Sequence, residues 1–318
     1  MPGQLYAVGS LGGTGIGSVP YLTERIRKVA QPLFVLRQFC DAKEAIGMGR
    51  GDTFYFDKVK NVATQGGTLV ETTTIPETEY TVVQGTAAIT EYGNSIPYTF
   101  KSKTLATIQI DSLAEAALRD DLVKVLESAA GTQFTLTDYQ AVMVSTASVA
   151  ITTNGTATAT ATADGSAANV RSVVDFMRKR NIPKWDGQSY MCVASISFLS
   201  GLHADSGSGG WVDISKYTGE FAKNVMNGEV GNFYMTRFME ETGFLSNTIG
   251  SGTTHGQAVF FGNDTVYEAV TIPEEIRIKE SQDFQRSLGI AWYALLGFKI
   301  VWNLAADGEQ HIVFVTSA

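Results

Sequence analysis

Charge is scarce in this sequence. Only 18% of its 318 residues are Asp, Glu, Lys or Arg, against roughly 25% in an average soluble domain. The 32 acidic and 24 basic residues leave a formal net charge of -8, which speaks against the whole chain binding nucleic acid through a basic surface. Low charge over so long a chain points to surface buried against partners; on composition alone, a monomer with a neutral surface is the alternative. Cysteine is scarcer still. Cys40 and Cys192 make neither a disulfide framework nor a zinc motif, and they suit a reducing compartment. The three histidines, His203, His255 and His311, stand more than fifty residues apart, and none lies in an HExxH pattern or beside a cysteine pair. A membrane helix is also missing. The most apolar run, Leu288 to Trp302, has 15 residues with Lys299 inside it, too short for a span, and it reads as buried strands. The N-terminus has no basic start and no continuous apolar core, so it is no signal peptide.

Motifs for chemistry are missing too. Gly12-Gly13-Thr14-Gly15-Ile16-Gly17 fits neither GxGxxG nor a P-loop with its lysine, and reads as part of a flexible arm. Arg37 lies three residues before Cys40 and could lower its pKa, but no base is near it in sequence. Asp111, Glu115, Asp120 and Asp121 gather where helices should start, and carboxylates favour that end of the dipole. Ser195-Ile196-Ser197 does not make GxSxG, and Trp185, Trp211, Trp292 and Trp302 are too scattered for a stacking platform. No catalytic, cofactor-binding or metal-ligating residue emerges, and a structural role follows more naturally than an enzyme.

What the chain does have is a long apolar periodic stretch. Asp120 to Ser145, 26 residues or about 39 Å of helix, carries Leu122, Val125, Leu126, Ala129, Leu136 and Met143 at helical spacing. Val123, Ala130, Phe134, Ala141 and Val144 widen that surface, so the helix should be a strut packed on several sides. Before it, Ser112–Leu118 reads as a short helix and Thr53–Asp57 as a strand. Residues 61–100 hold Glu71, Glu77, Glu79 and Glu91 and no Lys or Arg, a local charge of -4. In that stretch Thr68–Glu71 and Tyr80–Val83 read as two strands of a long exposed hairpin, with Ala87–Tyr92 and Ser95–Ser102 as the return. A ribbon with so little to pack on is usually held by another subunit.

Short helices are expected at Tyr21–Ala30 and Tyr217–Val225, and a turn-rich link at Trp211–Ser215. Ser148–Ser166, rich in Ala and Thr, reads as a loop or small hairpin. A helix follows at Ser166–Arg180 with Val170, Val173, Val174 and Met177 buried, ended by Asn181-Ile182-Pro183. Tyr190–Ala194 is a buried strand and Ser195–Leu202 a short helix. Strands are expected at Phe233–Met239, Gln257–Phe261, Val266–Ile272, Glu275–Lys279, Gly289–Leu296, Phe298–Asn303 and His311–Thr316, with a turn at Ala305–Gly308.

The order of these segments resembles that of the major capsid proteins of tailed bacteriophages, the fold named after phage Hong Kong ninety-seven, and in particular the group typified by phage N-four. The likeness is carried by Tyr21–Ala45, Gly51–Phe56, Tyr92-Gly93-Asn94, Asn169–Trp185 with Tyr190–Ala194, and Gly228–Glu241; no one stretch is specific, whereas their order and spacing are. The resemblance implies an α+β fold: residues 1–50 an N-terminal arm and first helices, 51–100 an extended loop hairpin over a neighbouring subunit, 101–148 a peripheral domain with the spine helix, 149–265 an axial domain, and 266–318 a return to the peripheral β-sheet. It implies many copies as hexamers and pentamers in an icosahedral or prolate shell around double-stranded DNA held by non-specific contact. A portal protein at one vertex, a separate scaffolding protein and a decoration or cement protein would be the other partners, with no membrane. The location would be the virion, assembled in the host cytoplasm.

The type member's Lys–Asn crosslink uses a lysine on the extended loop, and there is none between Asn61 and Phe100, so no such crosslink is expected. Because the first expected helix begins at residue 21, a separate scaffold rather than a leading scaffolding segment is expected. The acidic hairpin calls for a basic partner surface, with Arg171, Arg178, Lys179, Arg180 and Lys184, or Arg25, Arg27 and Lys28, as candidates. Gly131 inside the spine would be a hinge, so that Gly131→Ala stabilises the subunit and disturbs assembly. The rival readings are an encapsulin-like nanocompartment shell of the same fold, a phage tail or decoration protein, and an enzyme without a recognisable motif.

Overall fold

A 26-residue helix runs between two β-sheets and packs against both. The computed structural model describes residues 10–11, 14–15, 35–44, 51–59, 66–72, 74–106, 109–205, 229–245, 256–280, 283–284, 286–302 and 310–318. In chain order the first elements are β1 (Ser10–Leu11), β2 (Thr14–Gly15), a 3-10 turn (Arg37–Phe39), β3 (Asp41–Glu44), β4 (Thr53–Val59), β5 (Val82–Ala88) and β6 (Thr90–Thr99). Then come α1 (Phe100–Leu105), the long helix α2 (Ile110–Thr135), β7 (Gln140–Ser145), β8 (Ser148–Thr152), α3 (Ala167–Lys179), β9 (Tyr190–Ala194) and α4 (Ile196–Ala204). The remainder is β10 (Glu229–Phe233), β11 (Thr236–Glu240), β12 (Gly256–Phe261), β13 (Val266–Ile278), β14 (Ser287–Ile300) and β15 (Ile312–Ser317). The expected helices Tyr21–Ala30 and Tyr217–Val225, the link Trp211–Ser215 and the turn Ala305–Gly308 lie outside the described residues.

The larger sheet has seven strands in the order β10-β11-β9-β12-β15-β7-β8. Its central strands are apolar on both faces, because both faces are covered. On β9, Met191 and Val193 point into the core that holds α2, while Tyr190, Cys192 and Ala194 point into a second core under α3 and α4. The same alternation divides Val259 and Phe261 from Ala258 and Phe260 on β12. This two-sided burial is why these strands read as continuous apolar runs. The α3 helix follows its sequence closely. The Ser166 hydroxyl accepts the Asn169 N–H as N-cap, Val170, Val173, Val174 and Met177 are fully buried, and Asn181 leaves the helix with φ 56°.

The smaller sheet has the order β3-β13-β14-β6. Its two long strands replace the four expected in residues 266–303. β13 absorbs Pro273 without ending, through register shifts between Val270 and Ile272 and between Ile272 and Glu275, the sheet positions where proline is tolerated. The last strand departs from expectation in another way. β15 lies in the seven-stranded sheet between β12 and β7, so residues 266–318 do not return as a whole to the sheet of β13 and β14. The expected break at residue 148 falls inside the β7–β8 hairpin.

The expected spine was the right length but ten residues late. Helix starts at Ile110 because nothing between Ser112 and Asp121 breaks it, and it stops at Thr135, where Gly131, Thr132 and Thr135 weaken the helix. Gln140–Ser145 is then a strand, with Ala141, Val142 and Met143 buried. Asp120 and Asp121 are consequently mid-helix, and only Asp111 lies in the first turn. The expected strand Phe233–Met239 also splits, into the hairpin β10–β11, where Tyr234 and Met235 take φ 44° and 61°. No Asn-Gly or Asp-Gly pair announces that turn.

Gly131 is not a free hinge. It is buried, and a Cβ placed there would stand 2.5 Å from Cδ1 and 2.7 Å from Cγ of the Phe244 ring. Overpacking of this kind typically costs about 1–3 kcal/mol, against the roughly 1 kcal/mol that alanine gains over glycine in a helix. Gly131→Ala should therefore lower the urea midpoint of the subunit, and adding Phe244→Leu should recover part of the loss. A raised midpoint for Gly131→Ala would contradict the close-packing assignment.

Candidate functional site: an overhanging hairpin

The segment with least support from its own chain is the hairpin of β4 and β5. The two strands pair antiparallel from Thr53 opposite Ala88 to Val59 opposite Val82. The arms therefore lie at 53–59 and 82–88, not at Thr68–Glu71 and Tyr80–Val83 as the sequence suggested; residues 68–71 and 80–81 form no strand. Thr and Val content set the expectation, but ladder partners decide, and β4 is the partner that β5 finds.

The base of the hairpin touches the body. Phe56, Ala87 and Val301 form a small core, flanked by Phe54, Tyr267 and Trp302, with the Tyr267 ring edge-on to Phe56 at 4.8 Å. Gly85 lies under the Phe56 ring, and a Cβ there would fall 2.3 Å from it. The buried Lys58 amine donates to the Val301 carbonyl at 2.8 Å and lies 5.7 Å from the centroid of the Trp302 ring. The opposite face of the ladder carries Tyr55 and Val59, both exposed.

Beyond the ladder every described side chain from residue 66 to 81 is exposed. Leu69, Val70, Ile75 and Tyr80 are 57–71% accessible, and Glu71, Glu77 and Glu79 are the only charges described there. Exposing one apolar side chain is ordinary. Four on one overhang, with an acidic rim, mark an interaction surface.

The segment before β3 is held differently, by one carboxylate of the long helix. Glu127, buried in α2, accepts the backbone N–H of Leu36 and, at 3.1 Å, that of Arg37. These are the open donors at the start of the 3-10 turn. The Arg37 guanidinium then bonds Glu268 at 2.5 Å and also meets Glu274. Along the same helix Asp121 accepts from the Trp292 indole at 3.0 Å and from Asn94 at 2.9 Å, and Gln133 accepts the Ile300 N–H at 3.3 Å. Glu241, on the turn that carries Phe244, accepts the N–H groups of Gly243, Phe244 and Leu245. Burial raises the pKa of Glu127; the Arg37 and Leu36 N–H groups pull it down, and the Glu241 charge pushes it further up. Burial likewise raises Glu241 against the pull of its three N–H donors.

The residues weighed for chemistry do not converge. His203 is exposed at the end of α4, and His311 sets Nδ1 2.7 Å from the Asn263 carbonyl; His255 is outside the described residues. Burial pushes the Cys40 thiol well up, with Glu268 and Glu127 adding to it and Arg37 opposing. This reverses the activation suggested by Arg37 alone. Cys192 is enclosed in β9, and burial raises it too. Asp111 is held below the usual carboxylate range, first by its hydrogen bond to Lys103 at 2.6 Å and then by Tyr98. Among the described residues no group of His, Cys, Asp and Glu could hold a metal ion, and no helix is long and apolar enough to cross a membrane. A cleft of about 450 Å³ opens beside the start of α3, near Arg171 and Asp205, without a nucleophile and base facing each other.

No protein-family model matches the chain, and no curated protein matches it in sequence. Solved structures match in fold over nearly the whole length. The capsid structure of cyanophage P-SCSP1u is similar at 9% identity, covering 98% of this chain and 97% of that one, with a TM-score of 0.65. The capsid of Ralstonia phage GP4 is similar at 13% identity, covering 98% of each chain, with a TM-score of 0.63. An acid-stable capsid structure of Helicobacter pylori bacteriophage KHP30 is similar at 12% identity, covering 98% and 100%, with a TM-score of 0.64. The α+β fold expected from the order of segments, that of tailed-phage capsid proteins, is the fold of this chain.

The Glu127 clasp has a testable pH signature. A carboxyl whose folded pKa is raised holds a proton in the folded state that the unfolded chain releases. Its stabilising contribution is complete below the unfolded value, 4.5 for Glu127, and is lost as pH rises through the folded value. Denaturation midpoints of the unassembled subunit should therefore fall relative to Glu127→Gln as pH rises above that value. A difference between the two proteins that does not change with pH would contradict a raised Glu127.

Proposed function

We propose that this chain is the major shell protein of a tailed bacteriophage, assembling as hexamers and pentamers into the capsid that encloses the viral double-stranded DNA. The observation that carries this reading is the whole-length likeness of fold to three phage capsids. The overhanging hairpin agrees with it, because Leu69, Val70, Ile75 and Tyr80 are exposed on it. The rival encapsulin-like shell is not favoured by these neighbours, which are phage capsids.

On this reading the role is architectural rather than enzymatic, and many modest head-to-tail contacts close the shell. The sheet of β13 and β14 with α2 corresponds to the peripheral part, and the seven-stranded sheet with α3 and α4 to the axial part that meets its copies around five- and six-fold axes. Residues 51–100 form the extended loop that lies on a neighbour. A portal protein at one vertex, a separate scaffolding protein, a decoration protein and non-specifically held DNA complete the set of partners. The virion is the location, with assembly in the host cytoplasm. The finer affinity to the phage N-four group belongs to the same proposal.

Electron microscopy of the chain expressed with its scaffold should show closed, icosahedral or prolate shells. Denaturing gels of those shells should give a single 34.2 kDa band, since residues 61–100 contain no lysine to crosslink. Monomers or open tubes under all conditions would overturn the reading.

A further inference from the structure

On α3 the sign of the charge reverses. In a chain of net charge -8, residues 166–186 hold five cations, Arg171, Arg178, Lys179, Arg180 and Lys184, and two carboxylates, Asp175 and Asp186, a local charge of +3. Asp175 pairs with Arg178 at 3.4 Å and accepts the Tyr234 hydroxyl at 3.0 Å, and Asp186 meets Arg237 at 3.4 Å. On the adjoining segments Asp138 accepts from the Gln310 amide and Asp264 from the Trp302 indole. Lys179, Arg180 and Lys184 pair with no carboxylate among the described residues.

The helix dipole accounts for part of this cluster only. Cations in the last turn, Arg178 and Lys179, suit the C-terminus, but Arg171 lies two turns earlier and Lys184 beyond the break at Asn181. Arg180 is held in another way. Its guanidinium lies over the rings of Tyr139 and Phe176, 5.7 and 5.6 Å from their centroids, so stacking fixes the plane and leaves the N–H fork for an anion. The surface is also purely polar: none of the exposed large apolar side chains among the described residues lies on α3. A protein segment such as the hairpin tip, with Leu69, Val70, Ile75 and Tyr80 exposed, would find no apolar match there. A hydrated polyanion needs none. From Arg171 to Lys179 the helix rises about 12 Å, a length over which a DNA duplex presents roughly seven phosphates.

We infer that the C-terminal end of α3, with Lys179, Arg180 and Lys184, is the surface that contacts the phosphate backbone of the enclosed DNA. The inference rests on the shell reading and adds an orientation to it: the face of the seven-stranded sheet that carries α3 is the one turned to the lumen. The contact is with phosphate and not with bases, because point charges position a duplex without reading its sequence. Each subunit contributes few such contacts, so a single copy holds DNA weakly and salt-dependently, and a shell holds it through many copies. The acidic balance of the rest of the chain leaves the DNA free to slide during filling and release, since like charge elsewhere on the subunit repels it.

Two measurements test it. In the first, the unassembled full chain is titrated with a labelled DNA duplex at several low salt concentrations. Lys179→Gln with Lys184→Gln breaks no ion pair among the described residues and should weaken binding, lowering the slope of log affinity against log salt by about 1.8, or 0.9 for each lost phosphate contact. The control Lys101→Gln with Lys279→Gln removes the same charge from exposed lysines elsewhere and should leave the slope unchanged. No duplex binding by the wild-type chain, an unchanged slope in the α3 variant or an equal fall in the control would overturn the inference. In the second, a small acylating reagent is applied to filled particles and to the same particles emptied of DNA, and each lysine is followed by mass spectrometry. Lys179 and Lys184 should react more slowly in the filled particles; equal rates would overturn the lumenal orientation and leave the shell reading intact. If the chain forms no particles the shell reading falls, and the duplex titration still decides the phosphate contact by itself.

Discussion

The structure depends on one face of a long helix being buried from end to end. The opposite face, with Glu115, Arg119, Val123, Lys124, Ser128 and Thr132, is exposed, where a strut packed on several sides was expected. α2 satisfies its own backbone hydrogen bonds, so it can run through an interior that a loop could not enter. Leu126, Ala130 and Phe134 are fully buried among residues of both sheets: Trp292, Ala294 and Leu296 of the smaller, Met191, Val259 and Phe261 of the larger. Truncating a leucine or phenylalanine in such a position costs about 2–5 kcal/mol. Asp121, Glu127 and Gln133 add polar attachments about 9 Å apart along the axis, to Trp292 and Asn94, to the turn at Leu36 and Arg37, and to the last residue of β14. Beyond its end, Gln310 accepts the N–H groups of Asp138 and Tyr139, which ties the exit from α2 to the start of β15.

A core closed around α2 leaves nowhere for the hairpin to fold back. The α2 face of the smaller sheet is occupied, both faces of the larger are covered, and the body offers β4 and β5 only the short patch around Val301. The described side chains between residues 66 and 81 are left exposed. The low charge of the whole sequence agrees with the proposed shell, in which a surface meeting copies of itself on many sides could not carry much net field.

Much of this was legible in the sequence, wherever one neighbour decided the outcome. The apolar positions of α3 and the strand Tyr190–Ala194 are legible because burial alone fixes them, and the run Leu288–Trp302 is strand as expected, though one strand, Ser287–Ile300, where two were read. The placement of the long helix was not, because its apolar period continues through Leu136, Ala141 and Met143 into a strand, and period alone does not mark that change. What marks it is β15: Phe314 and Val315 pair with Gln140 and Ala141, across more than 170 residues. The same non-local choice moved the hairpin arms from 68–83 to the ladder of 53–59 with 82–88. Gly131 reads as a hinge in the sequence, but Phe244, more than a hundred residues away, packs against it. The acidic tip was visible as composition, while its apolar content became meaningful only once those side chains proved exposed.

On the proposed shell reading, a body closed around α2 with a hairpin completed by another copy makes opposite demands on backbone protection in the free and assembled states. Amide hydrogen exchange, followed segment by segment in both, reads this directly. In the free subunit α2 and β9 should be slow, residues 66–81 near the rate of an unstructured chain, and the β4–β5 base intermediate. In assembled particles residues 66–81 should slow markedly while α2 changes little. Equal protection of residues 66–81 in the two states would contradict the account.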